Sequence, residues 1–205
     1  MTQTKELLRT EIIQHLINRY GYKSYLEIGV AKGENFEAIK CERKVGVDPD
    51  PNSKATVKQT STDFFETNIT GDAINGYSLI EKFDIVFIDG LHHAEQVYRD
   101  IEQALDVLNE GGIIVCHDML PRTKRMQEIP QQQDEWTGDC WKAYMRLRER
   151  EDLEMRVVDT DYGCGIISKG QQEPLRVDPL TYENFIHNRN RWMNVITPED
   201  FFIIY

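Results

Sequence analysis

Two glycines and two acids near the start of the chain are placed to do chemistry. Tyr25-Leu26-Glu27-Ile28-Gly29-Val30-Ala31-Lys32-Gly33 reads as a buried strand running into a tight turn. Lys44-Val45-Gly46-Val47-Asp48 reads as a second strand closed by an acid. Gly29 lets the backbone turn where a Cβ would clash. Gly33 permits close approach of the turn, the following helix and a ligand. Asp48 stands 21 residues after Glu27, the distance at which a strand-end carboxylate accepts hydrogen bonds from two ribose hydroxyls. Glu27 lies at the end of the first strand, where a pyrophosphate would otherwise pass on its way to the helix amides. A carboxylate there repels phosphate and suits a cation carrying an ammonium and a sulfonium. The arrangement therefore favours an adenosyl-methionine site over a dinucleotide site. Asp89 and Asp118 also fall at or near the ends of apolar, strand-like runs. Four such acids argue for one shared cleft outside the carboxyl ends of the strands.

The elements that must hold these residues follow from periodicity. Leu7, Leu8, Ile12, Ile13, Leu16 and Ile17 predict an amphipathic helix over 4–20. Strands are expected at 24–28, 44–47, 83–89 and 113–116, with helices at 34–41 and 94–108. Asn109-Glu110-Gly111-Gly112 is read as the cap of the latter helix. The stretch to Ile80 reads as irregular or partly helical, broken by Gly71 and Gly76. A polar segment from Met119 to Asp139 reads as a loop or lid that decides specificity, with Arg122, Lys124, Trp136 and Trp141 as candidate acceptor-pocket residues. A helix at 141–150 precedes two strands, 154–158 and 164–168, joined by the hairpin signal Asp159-Thr160-Asp161-Tyr162-Gly163. A last helix at 181–192 is followed by a short apolar tail. The expected fold is α/β: a Rossmann-like, doubly wound sheet, mostly parallel, with a C-terminal antiparallel hairpin. One domain spans 1–205, with the helix at 4–20, a core at 24–170 and a terminal helix and tail at 171–205.

Composition narrows the partners. The chain has 205 residues and a net charge of −11, which disfavours duplex nucleic acid or an anionic membrane as the main partner. The clusters Arg122/Lys124/Arg125 and Lys142/Arg146/Arg148/Arg150 are read as solvated surface. No apolar run reaches the length of a membrane span, and the first residues do not resemble a signal peptide. The four cysteines show no metal-finger spacing and read as reduced thiols of a cytoplasmic protein. Monomer and homo-oligomer both stay open.

These motifs resemble those of the class I adenosyl-methionine-dependent methyltransferases over roughly residues 20–170. Leu26 to Gly33 is similar to the family's first motif, with Ala31 where a glycine is usual, and Val45-Gly46-Val47-Asp48 is similar to its ribose-binding strand. Asp63-Phe64 is expected to flank adenine, the acid accepting from the exocyclic amine and the ring stacking. A closer resemblance is to the macrocin and mycinamicin O-methyltransferases, which methylate sugar hydroxyls. It is carried by Asp89-Gly90-Leu91-His92 and His117-Asp118. It implies His92 as general base and Asp89, His117 and Asp118 as ligands of a divalent cation, with Asp89 also bordering the cofactor. His117 stands where those enzymes have a carboxylate. Those enzymes bind magnesium, which prefers oxygen, so this departure either weakens the case for magnesium or points to a softer ion such as manganese or iron. The implied activity is methyl transfer from S-adenosyl-L-methionine to a hydroxyl of a small molecule, such as a glycoside. The competing readings are an NAD(P)-dependent oxidoreductase and a cofactor-binding module without catalysis.

Overall fold

The computed structural model describes residues 7–70 and 81–205. In chain order the elements are α1 (Arg9–Tyr20), β1 (Ser24–Ile28), α2 (Glu34–Ala38), β2 (Arg43–Val47), α3 (Ser61–Thr70), β3 (Phe83–Ile88), α4 (Ala94–Asp106) and β4 (Leu108–Cys116). A 3-10 turn (Lys124–Gln127) leads to α5 (Cys140–Leu147), β5 (Leu153–Val158), β6 (Cys164–Lys169), α6 (Tyr182–Trp192), β7 (Val195–Ile196) and α7 (Pro198–Ile204).

Strand alternation builds two cores, one on each face of the sheet. Leu26, Ile28, Val86, Ile88, Ile114 and Cys116 point to one face, with Val97, Ile101, Trp141 and Phe185 among the residues packed there. Tyr25, Ile85, Phe87, Ile113 and Val115 point to the other, packed with Ile12, Ile13 and Leu16 of α1, Phe36 of α2 and Phe201 of α7. Strands buried on both faces read as continuous apolar runs, and β1 is buried along its whole length.

The sheet order is β2-β1-β3-β4-β6-β5-β7. β1 to β4 pair in parallel, while β6 is antiparallel to both β4 and β5. The chain leaves β1 towards β2 and later returns to β3 on the opposite side of β1. The loops after β1 and β3 therefore part company, and a crevice opens at the carboxyl ends between them. The doubly wound, mostly parallel sheet with its hairpin is as expected.

Several boundaries differ from the sequence expectation. α1 begins at Arg9, not at residue 4; residues 4–6 lie outside the described residues. So do 71–80, with the Gly71 and Gly76 breaks, although Ser61–Thr70 is a regular helix. α2 stops at Ala38, because the Lys44 ammonium reaches back to the Phe36 and Ile39 carbonyls and satisfies the helix end early. Asn109–Gly112 is no helix cap: it is part of β4, where the register against β3 shifts between Phe83 and Ile85. The tail is structured. Val195–Ile196 adds a parallel edge strand to β5, and Thr197 caps α7 with Pro198 in its first turn. Arg148, expected on a solvated face, is buried and donates from Nε to the Trp192 carbonyl.

Candidate active site

The site is a cleft of about 1070 Å³ at the carboxyl ends of β1, β2, β3 and β4. That is just above the ~300–1,000 Å³ typical of small-molecule pockets. Its floor is the β1–α2 turn. Gly29 has φ +89°, and a Cβ there would fall 2.1 Å from the Asp89 carbonyl oxygen, so only glycine lets the two strand ends meet. Gly33 has φ +83° and lies against Lys54. Ala31 also has positive φ, 46°, a conformation disfavoured for any residue with a Cβ. Asp48 holds the turn there: its Oδ2 accepts from the backbone N–H of Val30 at 3.0 Å and of Ala31 at 2.8 Å. Its Oδ1 accepts from the Asp50 N–H at 2.8 Å.

Period-two alternation explains which acids gather. Glu27 shares the face of Tyr25, Asp89 that of Phe87, and His117 that of Val115, so all three turn towards α1. Glu27 is 1% exposed. It accepts hydrogen bonds from the Tyr25 hydroxyl and, at 3.0 Å, from the Asn35 amide. Burial pushes its pKa up to about 7, although those two donors pull the other way.

Beside Glu27 lies a cluster of acids and imidazoles. His92 Nδ1 is 3.2 Å from Asp118 Oδ2 and 3.2 Å from the Trp136 carbonyl, and its Nε2 is 3.5 Å from Asp89 Oδ1. His117 Nδ1 is 3.4 Å from Asp89 Oδ1 and 3.3 Å from Asp118 Oδ1. His117 Nε2 is 3.4 Å from Asp161 Oδ1 and 3.0 Å from Arg9 Nη1, so His117 and Arg9 share the Asp161 carboxylate. Burial disfavours the His117 imidazolium, but the carboxylates of Asp89, Asp118 and Asp161 outweigh it and raise the pKa well above the ordinary value. The same balance raises His92. Burial alone would raise Asp89, yet His117 and His92 hold it well below the carboxylate range. Asp118 and Asp161 both have positive φ, 64° and 45°, local strain of the kind that clusters at functional sites.

The donor set of Asp89, His92 and Asp118 has ligand atoms within 4.8 Å of one another, and His117 Nδ1 faces the same two acids. Carboxylate and imidazole together suit manganese, iron or zinc better than magnesium. Asp161 is placed to receive the other ring N–H of His117, the usual outer partner of a metal-ligating histidine.

Other expected residues are placed differently. Asp63 and Phe64 do not line the cleft. Asp63 is exposed and bonds the Thr60 hydroxyl, and Phe64 is buried in the core, so the helix there turns both away from the cleft. Thr60, Ser61 and Thr62, just before them, do line the cleft. Trp141 is fully buried against Phe185. Lys124 pairs with Glu183 on the surface, and Arg122 lies over the Tyr162 ring. Of the four candidate pocket residues only Trp136 lines the cleft, next to Asp134 and Glu135.

Arg9, Asn35, Asp161 and Tyr162 were not singled out from sequence. No local motif marks Arg9. Asp161 and Tyr162 carried a usable signal: a strand antiparallel to β4 must begin where β4 ends, which brings the β5–β6 turn to the site. Met119 and Leu120 hydrogen-bond that turn through Gly163 and Tyr162.

Strand order, glycine turn and strand-end acids together define the Rossmann-like fold of methyltransferases. Residues 26–119 match a methyltransferase domain family. No curated protein matches the chain. Among solved structures, it is similar to an O-methyltransferase from Bacillus cereus in complex with SAH, with a TM-score of 0.57 and 16% identity over 78% of this chain and 80% of that one. It is also similar to the SAH-bound methyltransferase PaMTH1 of Podospora anserina, at TM-score 0.54 and 17% identity over 80% and 78%. A third is the O-methyltransferase TomG of Streptomyces achromogenes in complex with SAM, at TM-score 0.51 and 16% identity over 77% and 78%. Those identities speak for the fold. The domain match, over less than half of the chain, is to a methyltransferase. No helix among the described residues is long and apolar enough to cross a membrane.

Proposed function

We propose that this protein transfers the methyl group of S-adenosyl-L-methionine to a hydroxyl of a small molecule, with His92 as general base. The observation that carries this reading is the environment of the His92 ring. Asp118 and the Trp136 carbonyl both lie 3.2 Å from Nδ1. Both accept hydrogen bonds, so Nδ1 keeps its proton and the neutral ring has its lone pair on Nε2, which lies 3.5 Å from Asp89 Oδ1. An alcohol is a weak nucleophile at neutral pH, and a positioned base removes its proton as the carbon–oxygen bond forms. The imidazolium that results is stabilised by Asp118 and Asp89.

The cofactor supplies the activated methyl group. Glu27 receives its ammonium, the Gly29–Gly33 turn gives room for close approach, and Asp48 receives the ribose hydroxyls. Asp48 already accepts three backbone N–H groups, but its two oxygens have about four lone-pair sites. Asp89, His117 and Asp118 would hold a divalent cation, which lowers the pKa of a bound hydroxyl. The acceptor is a glycoside in this reading. Trp136 gives the cleft mouth an aromatic face and Asp134 and Glu135 add acceptors beside it, which suits a polyol with apolar ring faces and many hydroxyl donors.

Calorimetric titration with adenosyl-homocysteine tests the cofactor site, with NAD as control and with manganese or magnesium added. Micromolar binding of adenosyl-homocysteine and none of NAD is expected, and the reverse would move the chain to the oxidoreductases. Tighter binding with manganese than with magnesium is expected from the mixed donor set; indifference to both would remove the metal from the site. A screen of glycosides for methyl acceptance then tests the acceptor class.

A further inference from the structure

The proposed cofactor ends in an amino acid, so its tail carries a carboxylate as well as an ammonium. Glu27 accounts for the ammonium alone. We infer that Arg9, the first residue of α1, binds the tail carboxylate, and that Arg9 and Glu27 together clamp the zwitterionic end of the cofactor. The inference rests on the cofactor reading above.

Two permanently charged cations line the cleft among the described residues, Arg9 and Lys32. Lys32 is exposed. Arg9 is half-buried and tied in place. Its backbone N–H donates to Asp161 Oδ2 at 2.9 Å, and its Nη1 lies 3.0 Å from both Asp161 oxygens. Its Nε lies 3.8 Å from Asp89 Oδ2. Among the described residues, Nη2 has no hydrogen-bond partner, so one arm of the fork is available to a ligand. A guanidinium fixed on one side in this way is prepared to bind a carboxylate on the other with little loss of side-chain entropy.

The neighbouring residue links the same helix to Glu27. Thr10 donates its hydroxyl to Asn35 Oδ1 at 2.7 Å, and the Asn35 amide donates to Glu27 Oε2 at 3.0 Å. The start of α1 thus places a positive group and orients a negative one in the same cleft. The Glu27 pKa also registers the positive charge of Arg9. A purely structural role for Arg9, pinning α1 to the β5–β6 turn, would explain the Asp161 contact but makes a different prediction about ligands.

The test compares two ligands that differ only at the tail. Adenosyl-homocysteine has the amino acid; 5′-methylthioadenosine has the nucleoside and sulfur without it. Arg9→Gln is expected to weaken adenosyl-homocysteine roughly 10- to 100-fold, the range for a lost charge-assisted contact. It should leave 5′-methylthioadenosine within about twofold. Equal weakening of both ligands, or of neither, would overturn the inference. Should Arg9→Gln fail to fold, the wild-type protein is titrated with the α-carboxamide of adenosyl-homocysteine. A similar loss supports the clamp, and equal affinity for acid and amide overturns it. Failure of the wild type to bind adenosyl-homocysteine would remove the cofactor reading and the clamp together. Normal wild-type binding with an unaffected Arg9→Gln would remove the clamp alone.

Discussion

Trp136 lies nearly flat against His92, with ring centroids 5.3 Å apart and planes 21° apart. Its carbonyl is also 3.2 Å from His92 Nδ1. One loop residue therefore both stacks on the His92 ring and meets its Nδ1. The loop is held there by Asp139, whose Oδ1 accepts from the Ala94 N–H at the start of α4. The segment expected to choose the acceptor thus also aims the group that would deprotonate it.

Replacing His92 by Ala is expected to lower turnover by about 10²- to 10⁴-fold, the usual contribution of a positioned base. Asp118→Asn should cost less, since Trp136 still holds the ring. Adenosyl-homocysteine affinity should stay within about twofold in His92→Ala. Initial rates and calorimetry on the same preparations check this, and a parallel loss of affinity would relegate His92 to a structural role.

Gly138 packs closely against His92. Its φ is +57°, and a Cβ there would fall 1.8 Å from the His92 carbonyl oxygen. Gly138→Ala must push the Trp136 loop off His92, with an expected loss of about 2–3 kcal/mol and at least tenfold in turnover. Gly111 is the control: its φ is +72° but nothing lies within 4 Å of the added Cβ. Gly111→Ala should cost only about 1–2 kcal/mol and leave turnover unchanged. Urea denaturation separates the two.

Ala31 carries a left-handed conformation that glycine would adopt without strain. The strain is worth ~1–2 kcal/mol, against ~0.5–1 kcal/mol for the added backbone freedom of glycine in the unfolded chain. Ala31→Gly is therefore expected to stabilise the protein by about 1 kcal/mol, read as a higher urea midpoint. Asp48→Ala should do the opposite, because it strips the turn of its acceptor for the Val30 and Ala31 N–H groups.

Glu27 makes stability depend on pH. Its folded pKa of about 7 lies above the ordinary 4.5, and burial is the main cause. The folded state keeps this proton where the unfolded chain has released it. Stability is full below about pH 4.5 and falls as pH rises through 7, by on the order of 3 kcal/mol in all. Glu27→Gln should remove that part of the pH dependence, as urea unfolding at pH 5 and pH 8 would show. A cationic ligand should ionise Glu27, so binding near pH 7 should release about half a proton in the wild type and none in the variant. Calorimetry in buffers of different ionisation enthalpy reads the difference.

The parallel core was legible because it is written in short-range pattern. Phe83 to Ile88 is an apolar run interrupted only by Asp84, and Ala94 to Asp106 repeats its apolar residues every three or four positions. Pattern failed where a long-range contact overrode it. Asn109-Glu110-Gly111-Gly112 has the composition of a helix cap, but pairing with β3 draws it into β4. Asp63-Phe64 was misplaced for a related reason. The helix starting at Ser61 sets which side chains turn inward, and helical phase is not visible in two residues.

The sequence by itself determined the strand ends, and with them Glu27, Asp48, Asp89 and the His117-Asp118 pair, because a buried strand is a local apolar run that must stop at something polar. It also determined the glycine at Gly29, since a turn that tight admits no Cβ. Only the tertiary structure decided what these groups meet. Arg9 comes from a helix 152 positions away from Asp161, and the Trp136 carbonyl reaches His92 across 44. Such partners are chosen by the closing of the sheet and the packing of α1 and the 119–139 loop against it. Those are properties of the whole chain, and no short stretch of residues carries them.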